Sequence, residues 1–176
     1  MLVEGMAVPF LRDSVRLYEP TRKVWYVEQI APGAFARYLR KVTAGDRRVR
    51  ALRDHHESQM LGSTERGYFR EGGDLWVVER RDGLWFQLDT VALSLCDEAT
   101  IRAGRMSVSI GIIPGREAWD WCSNPPRRLL HQIEALHEIS LVTEAAYPQT
   151  FARRARGWPG DAPRRWRFEA VAAALR

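Results

Sequence analysis

Hydrophobic and polar positions alternate with a period of two along most of this chain, and the alternating windows are rich in β-branched and aromatic residues. Because successive side chains on a strand point to opposite faces, the pattern predicts strands at 5–10, 24–30, 49–53, 75–79, 84–90, 107–113, 129–133 and 136–143. Turn-forming stretches punctuate them: EGGD at 71–74, RDG at 81–83, IPG at 113–115 and SNPP at 123–126. Two windows switch to helical spacing. In the first, Phe35, Tyr38 and Leu39 fall at i, i+3, i+4, Pro32 suits the opening turn, and Gly45 stops the run. In the second, 93–103, Leu95, Ala99 and Ile101 form the stripe, Ser94 or Asp97 stands near the start, and Gly104 ends it. About eight short strands with two embedded helices predict a mainly β, α+β fold. The expected form is a closed or partly closed antiparallel β-barrel flanked by helices, not a parallel α/β sheet.

A chain of 176 residues is one ordinary domain, or one domain and a tail. With 45% hydrophobic and 28% charged residues it is not a disordered, collagen-like or coiled-coil chain. No apolar run approaches the roughly 18 residues of a membrane span. The opening MLVEGMAVPF carries Glu4 where an export signal has a basic segment, so neither membrane insertion nor export is expected. Cys96 and Cys122 are too few for a disulfide framework and lack CxxC spacing, which predicts reduced thiols.

The net charge of +5 matters because of where it sits. Residues 151–176 hold seven arginines against Asp161 and Glu169, which accounts for all of it; residues 1–150 carry twenty basic and twenty acidic groups. The expected division is a neutral body, 1–150, and a basic linker and tail, 151–176, in which WRFEAVAAALR has amphipathic helical spacing. A tail of this charge is either solvated or drawn to nucleic acid or an acidic protein surface.

Phosphate-loop, dinucleotide, GxSxG and HExxH signatures are absent. The chemistry must come from the histidines and their surroundings. His55 and His56, in DHHESQMLG, follow the 49–53 strand, where a side chain reaches solvent while the scaffold holds it. An imidazole there is a candidate general base, or part of an ordinary polar turn. In GRMSVSIGI, alternation puts Ser107 and Ser109 on one face and Met106, Val108, Ile110 and Ile112 on the other. A serine hydroxyl becomes a nucleophile only beside a base that a third group orients. Gly111 is expected to leave room beside Ser109 for a substrate backbone. In LHEISLVT, strict alternation puts Glu138 on one face with Leu136, Ser140 and Val142. A carboxylate among apolar neighbours needs a partner, and a histidine or an arginine would serve.

Taken in order, EGMAVPF, EQIAPGAF, the strand ending in histidine before a Leu-Gly pair, the SIG segment and LHEISLVT followed by Pro148 and Thr150 resemble the prohead maturation proteases of tailed bacteriophages. That family is similar in turn to the herpesvirus assemblins, and the resemblance spans roughly residues 4–150. It implies an assemblin-like barrel as the protease domain, with His55 as general base, Ser109 as nucleophile and Glu138 as the group that orients His55. In the herpesvirus branch a histidine fills the third place. His56 and Ser107 stand as alternatives for base and nucleophile. Backbone amides near Ile110 and Gly111, or an arginine such as Arg153, are candidates for the oxyanion donors.

The resemblance further implies a serine endopeptidase that processes capsid and scaffold protein during procapsid maturation, using no cofactor and no metal. It would act in the bacterial host cytoplasm, inside the assembling procapsid. Its expected partners are the major capsid protein and the scaffold segment as substrates. Self-cleavage, a homodimer or higher oligomer and nucleic-acid contact are left open. Two other readings compete: a catalytically silent capsid- or scaffold-binding module with a basic tail, and a metal-dependent hydrolase using His55, His56, His131 and His137.

Overall fold

The computed structural model describes residues 1–65 and 74–155. Twelve strands and two helices follow one another among these residues: β1 (Leu2–Pro9), β2 (Leu17–Glu19), β3 (Val24–Ile30), α1 (Ala36–Ala44), β4 (Arg50–Arg53), β5 (His56–Ser63), β6 (Asp74–Arg80), β7 (Gly83–Asp89), α2 (Leu95–Arg102), β8 (Ser107–Pro114), β9 (Glu117–Asp120), β10 (Arg127–Leu130), β11 (Ile133–Val142) and β12 (Phe151–Arg154).

Eight strands form one sheet in the order β12-β1-β7-β6-β5-β4-β11-β8, and four form a second in the order β2-β3-β10-β9. The large sheet curls until its two ends meet: Met106, just before β8, forms an antiparallel bridge with Ala152 of β12. Val108 N donates to Thr150 Oγ1 at 3.1 Å beside that bridge. The barrel is thus only partly closed, and it corrects the expectation of purely antiparallel pairing. β4 and β11 run parallel, as do β5 and β6, and β3 and β10 in the small sheet. The long excursion from β4 to β11 passes through most of the fold and brings the chain back in the same direction, which a hairpin cannot do.

The core lies inside the curl. Val3, Ala7, Leu75, Val77, Leu84, Phe86, Leu88, Val108, Ile139 and Leu141 come from the strands, and Phe35, Tyr38 and Leu39 close one side from the α1 segment. Burying each large apolar side chain contributes about 1.5–3 kcal/mol, so this cluster is the main force holding the sheet curled. Helix α1 begins at Ala36, four residues after Pro32, and Gly45 closes it at φ 87°, a left-handed conformation that glycine adopts without strain. Helix α2 is capped by Ser94, whose side chain accepts from Asp97 N.

Four strands escape the alternation pattern. β2 has three residues, β9 has four, β5 is polar and exposed over its first half, and β12 carries two arginines. β12 pairs with β1 from Val3↔Arg154 to Met6↔Phe151, so the sheet takes in residues whose composition reads as tail. The helix expected at 166–176 lies outside the described residues. Among the described residues no helix is long and apolar enough to cross a membrane.

Candidate active site

β4 and β5 form a hairpin whose loop is only Asp54 and His55, since Arg53 pairs with His56 across it. Both loop residues have positive φ, 50° and 62°, the mark of a type I′ turn. Asp and His are among the few non-glycine residues found in this region, which costs of order 1–2 kcal/mol per residue. The segment that reads as a loop after a strand is therefore a tight hairpin tip, with His55 held at its end. His56 opens β5, is exposed, and its side chain makes no hydrogen bond among the described residues.

Glu138 comes from β11, which lies between β4 and β8. The β11–β8 register shifts between Leu136 and Glu138, where β11 advances two residues while β8 advances one, from Ile112 to Gly111. This bulge at His137 corrects the strict alternation expected from the sequence. Leu136, opposite Ile112, turns to the core and is fully buried, whereas Glu138 lies opposite Gly111. One side of β11 then holds Glu138, Ser140 and Val142, and the other holds Ile139 and Leu141 in the core. Glu138 thus has polar company: Ser140 Oγ donates to its Oε1 at 3.0 Å, and His55 Nδ1 donates to the same oxygen in a close hydrogen bond.

Gly111 also has a different use from the one expected. A Cβ at this position would stand 2.7 Å from Glu138 Cγ and 3.2 Å from its Cδ, so the missing side chain makes room for the carboxylate, not for a substrate backbone. Ser109 is half-buried and directly opposite Ser140. Residues so opposed have Cβ atoms about 5 Å apart on the same face. Ser109 therefore stands on the face of the Glu138 carboxylate, two residue pairs along from it, with the Ile139–Ile110 pair turned to the other face between them. Its hydroxyl makes no hydrogen bond among the described residues, and no bond joins it directly to His55. Ser107 shares that face, opposite Val142, farther from Glu138. Met106 and Val108 are buried on the core side, as the alternation predicts.

The structure therefore brings His55 and Glu138 into contact across 83 residues of sequence and sets Ser109 on the adjoining strand. A neutral imidazole that donates from Nδ1 to a carboxylate oxygen keeps Nε2 as its proton acceptor, and this contact suits that tautomer. Sequence reasoning missed the contact of Ser140, whose polar type within a buried strand was the available signal, and those of Arg53, which bonds Asp54 and the Leu141 carbonyl beside the turn and had no signal at all. Arg153, a candidate oxyanion donor, is engaged elsewhere, 2.9 Å from Glu4 across the β1–β12 pair. His131 is half-buried and His137 exposed at the bulge. Among the described residues no three His, Cys, Asp or Glu side chains gather as a metal ion would require.

None of the curated proteins compared with the chain matches it. Residues 3–157, which take in both helices, all twelve described strands but for the first residue of β1, and the His55, Ser109 and Glu138 positions, match the family described as caudovirus prohead serine protease, and the chain belongs to that family.

Proposed function

We propose that the chain is a serine endopeptidase of assemblin-like fold that trims capsid and scaffold polypeptides inside the assembling procapsid, with His55, Ser109 and Glu138 as its catalytic residues. The observation that carries this reading is the His55 Nδ1 to Glu138 Oε1 hydrogen bond on the sheet face that also bears Ser109. His55 Nε2 takes the Ser109 hydroxyl proton as Oγ attacks the scissile carbonyl carbon. Glu138 keeps the imidazole in the tautomer that leaves Nε2 free, and stabilises the imidazolium that forms. The imidazolium then passes its proton to the leaving amine, and water, activated by the same imidazole, releases the acyl group from Ser109. The unbonded Ser109 hydroxyl is in keeping with a site whose hydrogen bonds tighten when substrate enters.

The test is co-expression of the chain, wild type or Ser109→Ala, with the capsid protein encoded beside it, followed by gel analysis of the capsid polypeptide. Trimming by the wild type alone supports the reading. Trimming that survives Ser109→Ala and stops with Ser107→Ala moves the nucleophile two residues along β8, and trimming by neither chain favours a silent binding module. Of the basic segment 151–176, the part beyond β12 is read as an anchor to capsid or scaffold that is removed during maturation, since residues 151–154 belong to the sheet; an intact Arg176 terminus in mature particles, seen by mass spectrometry, would count against this.

A further inference from the structure

We infer that Arg53 is a positioning residue of this site: its guanidinium fixes the His55 turn to both β11 and α2, so that the imidazole meets Glu138 in one geometry. The inference rests on the catalytic reading above and explains a feature that reading leaves open. Two consecutive left-handed non-glycine residues at 54 and 55 are costly, and such a conformation persists only where its surroundings over-determine it. The His55–Glu138 bond is one restraint, but a single bond to a ring at the tip of a hairpin leaves the turn free to rock about it.

The Asp54 N to Leu141 carbonyl bond is a second, and the Arg53 side chain supplies the rest. Its side chain is only 15% exposed and engages three acceptors at once. Nη1 donates to the Leu141 carbonyl at 2.9 Å and lies in close contact with Asp54 Oδ1, and Nε donates to Asp97 Oδ1 at 2.8 Å. The Leu141 carbonyl also accepts from Asp54 N at 3.1 Å. Leu141 stands three residues beyond Glu138 on the same strand, so the turn is tied to the strand that carries the carboxylate by contacts independent of the imidazole. Asp97 is itself held, because Ser94 Oγ donates to its Oδ2 at 2.8 Å in the first turn of α2. Burial pushes the Asp97 carboxyl up, and the hydrogen bonds from Arg53 and Ser94 more than offset it, leaving it charged well into mild acid. Three acceptors in different directions suit the planar fork of arginine; a lysine ammonium on a flexible stem cannot hold all three in one geometry.

The test uses the full chain and a fluorophosphonate, which forms a covalent bond to an activated serine oxygen and expels fluoride. Maximal labelling rate and half-saturating concentration are measured, the labelled residue is mapped by mass spectrometry, and folding is checked by circular dichroism and the urea midpoint. A displacement of about 1 Å costs roughly 10²-fold in rate. Arg53→Met is therefore expected to lower the maximal rate by about that factor while the half-saturating concentration stays within about twofold. Arg53→Lys is expected to recover part of the loss, and Arg53→Met combined with Asp97→Asn to be no slower than Arg53→Met alone, since both act through one contact. Wild-type labelling of Arg53→Met, a loss confined to the half-saturating concentration, or no recovery in Arg53→Lys overturns the inference. Should Arg53→Met fail to fold, Asp97→Asn decides: slowed labelling at an unchanged urea midpoint upholds the role, and an unchanged rate removes it. If the wild type itself is not labelled at Ser109, the catalytic reading falls and the inference with it, an outcome distinct from a labelled wild type with an equally reactive Arg53→Met.

Discussion

Glu28 and Glu138 are equally buried, each 8% exposed, yet they sit in clusters of opposite character. Glu28, on β3 of the small sheet, is saturated: Tyr147 OH donates to Oε1 at 3.0 Å and Arg128 Nη1 donates to Oε2 at 3.3 Å. Arg128 also donates through Nε to Glu117 at 2.9 Å and lies over the rings of Tyr26 and Trp119. Burial pushes the Glu28 carboxyl up, against the pull of Arg128 and Tyr147, and burial together with the Glu28 charge pushes the Tyr147 hydroxyl far up. Every group there is occupied by another, and the cluster staples the chain after β11 to the small sheet. Glu138 instead gathers both its donors on one oxygen, and one of them, His55, is 46% exposed at its side chain. A buried carboxylate is therefore not by itself a sign of chemistry. The sign is a partner that keeps an open, proton-accepting atom.

The contrast is sharpest when each glutamate's partnership is broken. Glu138→Gln keeps the size and an acceptor but removes the charge that stabilises an imidazolium, so processing of the capsid protein is expected to slow by about 10⁴-fold, with the urea midpoint nearly unchanged. That loss is worth roughly 5.5 kcal/mol of barrier. Arg128→Met, in the closed cluster, strips Glu28 and Glu117 of their cation and should cost about 3–5 kcal/mol of stability in urea unfolding, with processing normal wherever the chain stays folded. A loss under about 1 kcal/mol would show that apolar contacts, not the ion cluster, hold the small sheet.

Gly111→Ala tests the cradle under Glu138. The added methyl meets Cγ at 2.7 Å, so the carboxylate must move, and a displacement near 1 Å predicts about 10²-fold slower labelling or trimming. The same substitution overpacks the site by about 1–3 kcal/mol. Gly111→Ala should then add little to Glu138→Gln, because the two act on one group and the larger loss already contains the smaller.

The smallest effect is a pH slope. Because burial raises Glu28 above its ordinary 4.5, the folded chain takes up that proton before the unfolded chain does as pH falls. The stability gained is complete below about pH 4.5 and is lost as pH rises through the raised folded value. Glu79 is raised by burial in the same direction, while Asp97 and Glu117 are held low and cost stability only when protonated in stronger acid. Urea midpoints between pH 7 and pH 5 should therefore improve more for the wild type than for Glu28→Gln; parallel curves would remove Glu28 from the account.

The parts of the fold that were legible in the sequence are those where one local rule governs. The Ser107–Pro114 strand shows its alternation because Met106 and Val108 are wholly on the core side, and α2 shows its start because Ser94 caps it. β5 was hidden because only its last residues are buried, so its first half lacks an apolar face to alternate with. β12 was hidden by its arginines, which the sheet edge leaves exposed. Of the candidate site, the residue types were legible and the surroundings were not. Alternation put Ser109 on the correct face of β8 but put Leu136 beside Glu138, because a bulge at His137 has no local signature strong enough to interrupt the pattern. Gly111 drew notice for its missing side chain, while the occupant of the space lies 27 residues away.

The sequence by itself determined the mainly β character, the two helices and their stops, the family, and which histidine, serine and glutamate to compare, since each depends on periodicity, capping or the order of short motifs. Only the tertiary structure decided that His55 sits in a left-handed turn against Glu138, that Ser140 shares the carboxylate and Arg53 bonds Asp54 and the Leu141 carbonyl beside it, and that the second buried glutamate is a closed staple. Those facts depend on strand register, where a shift of one residue reverses every face, and register is fixed by burial summed over the whole sheet, not by any stretch of neighbouring residues.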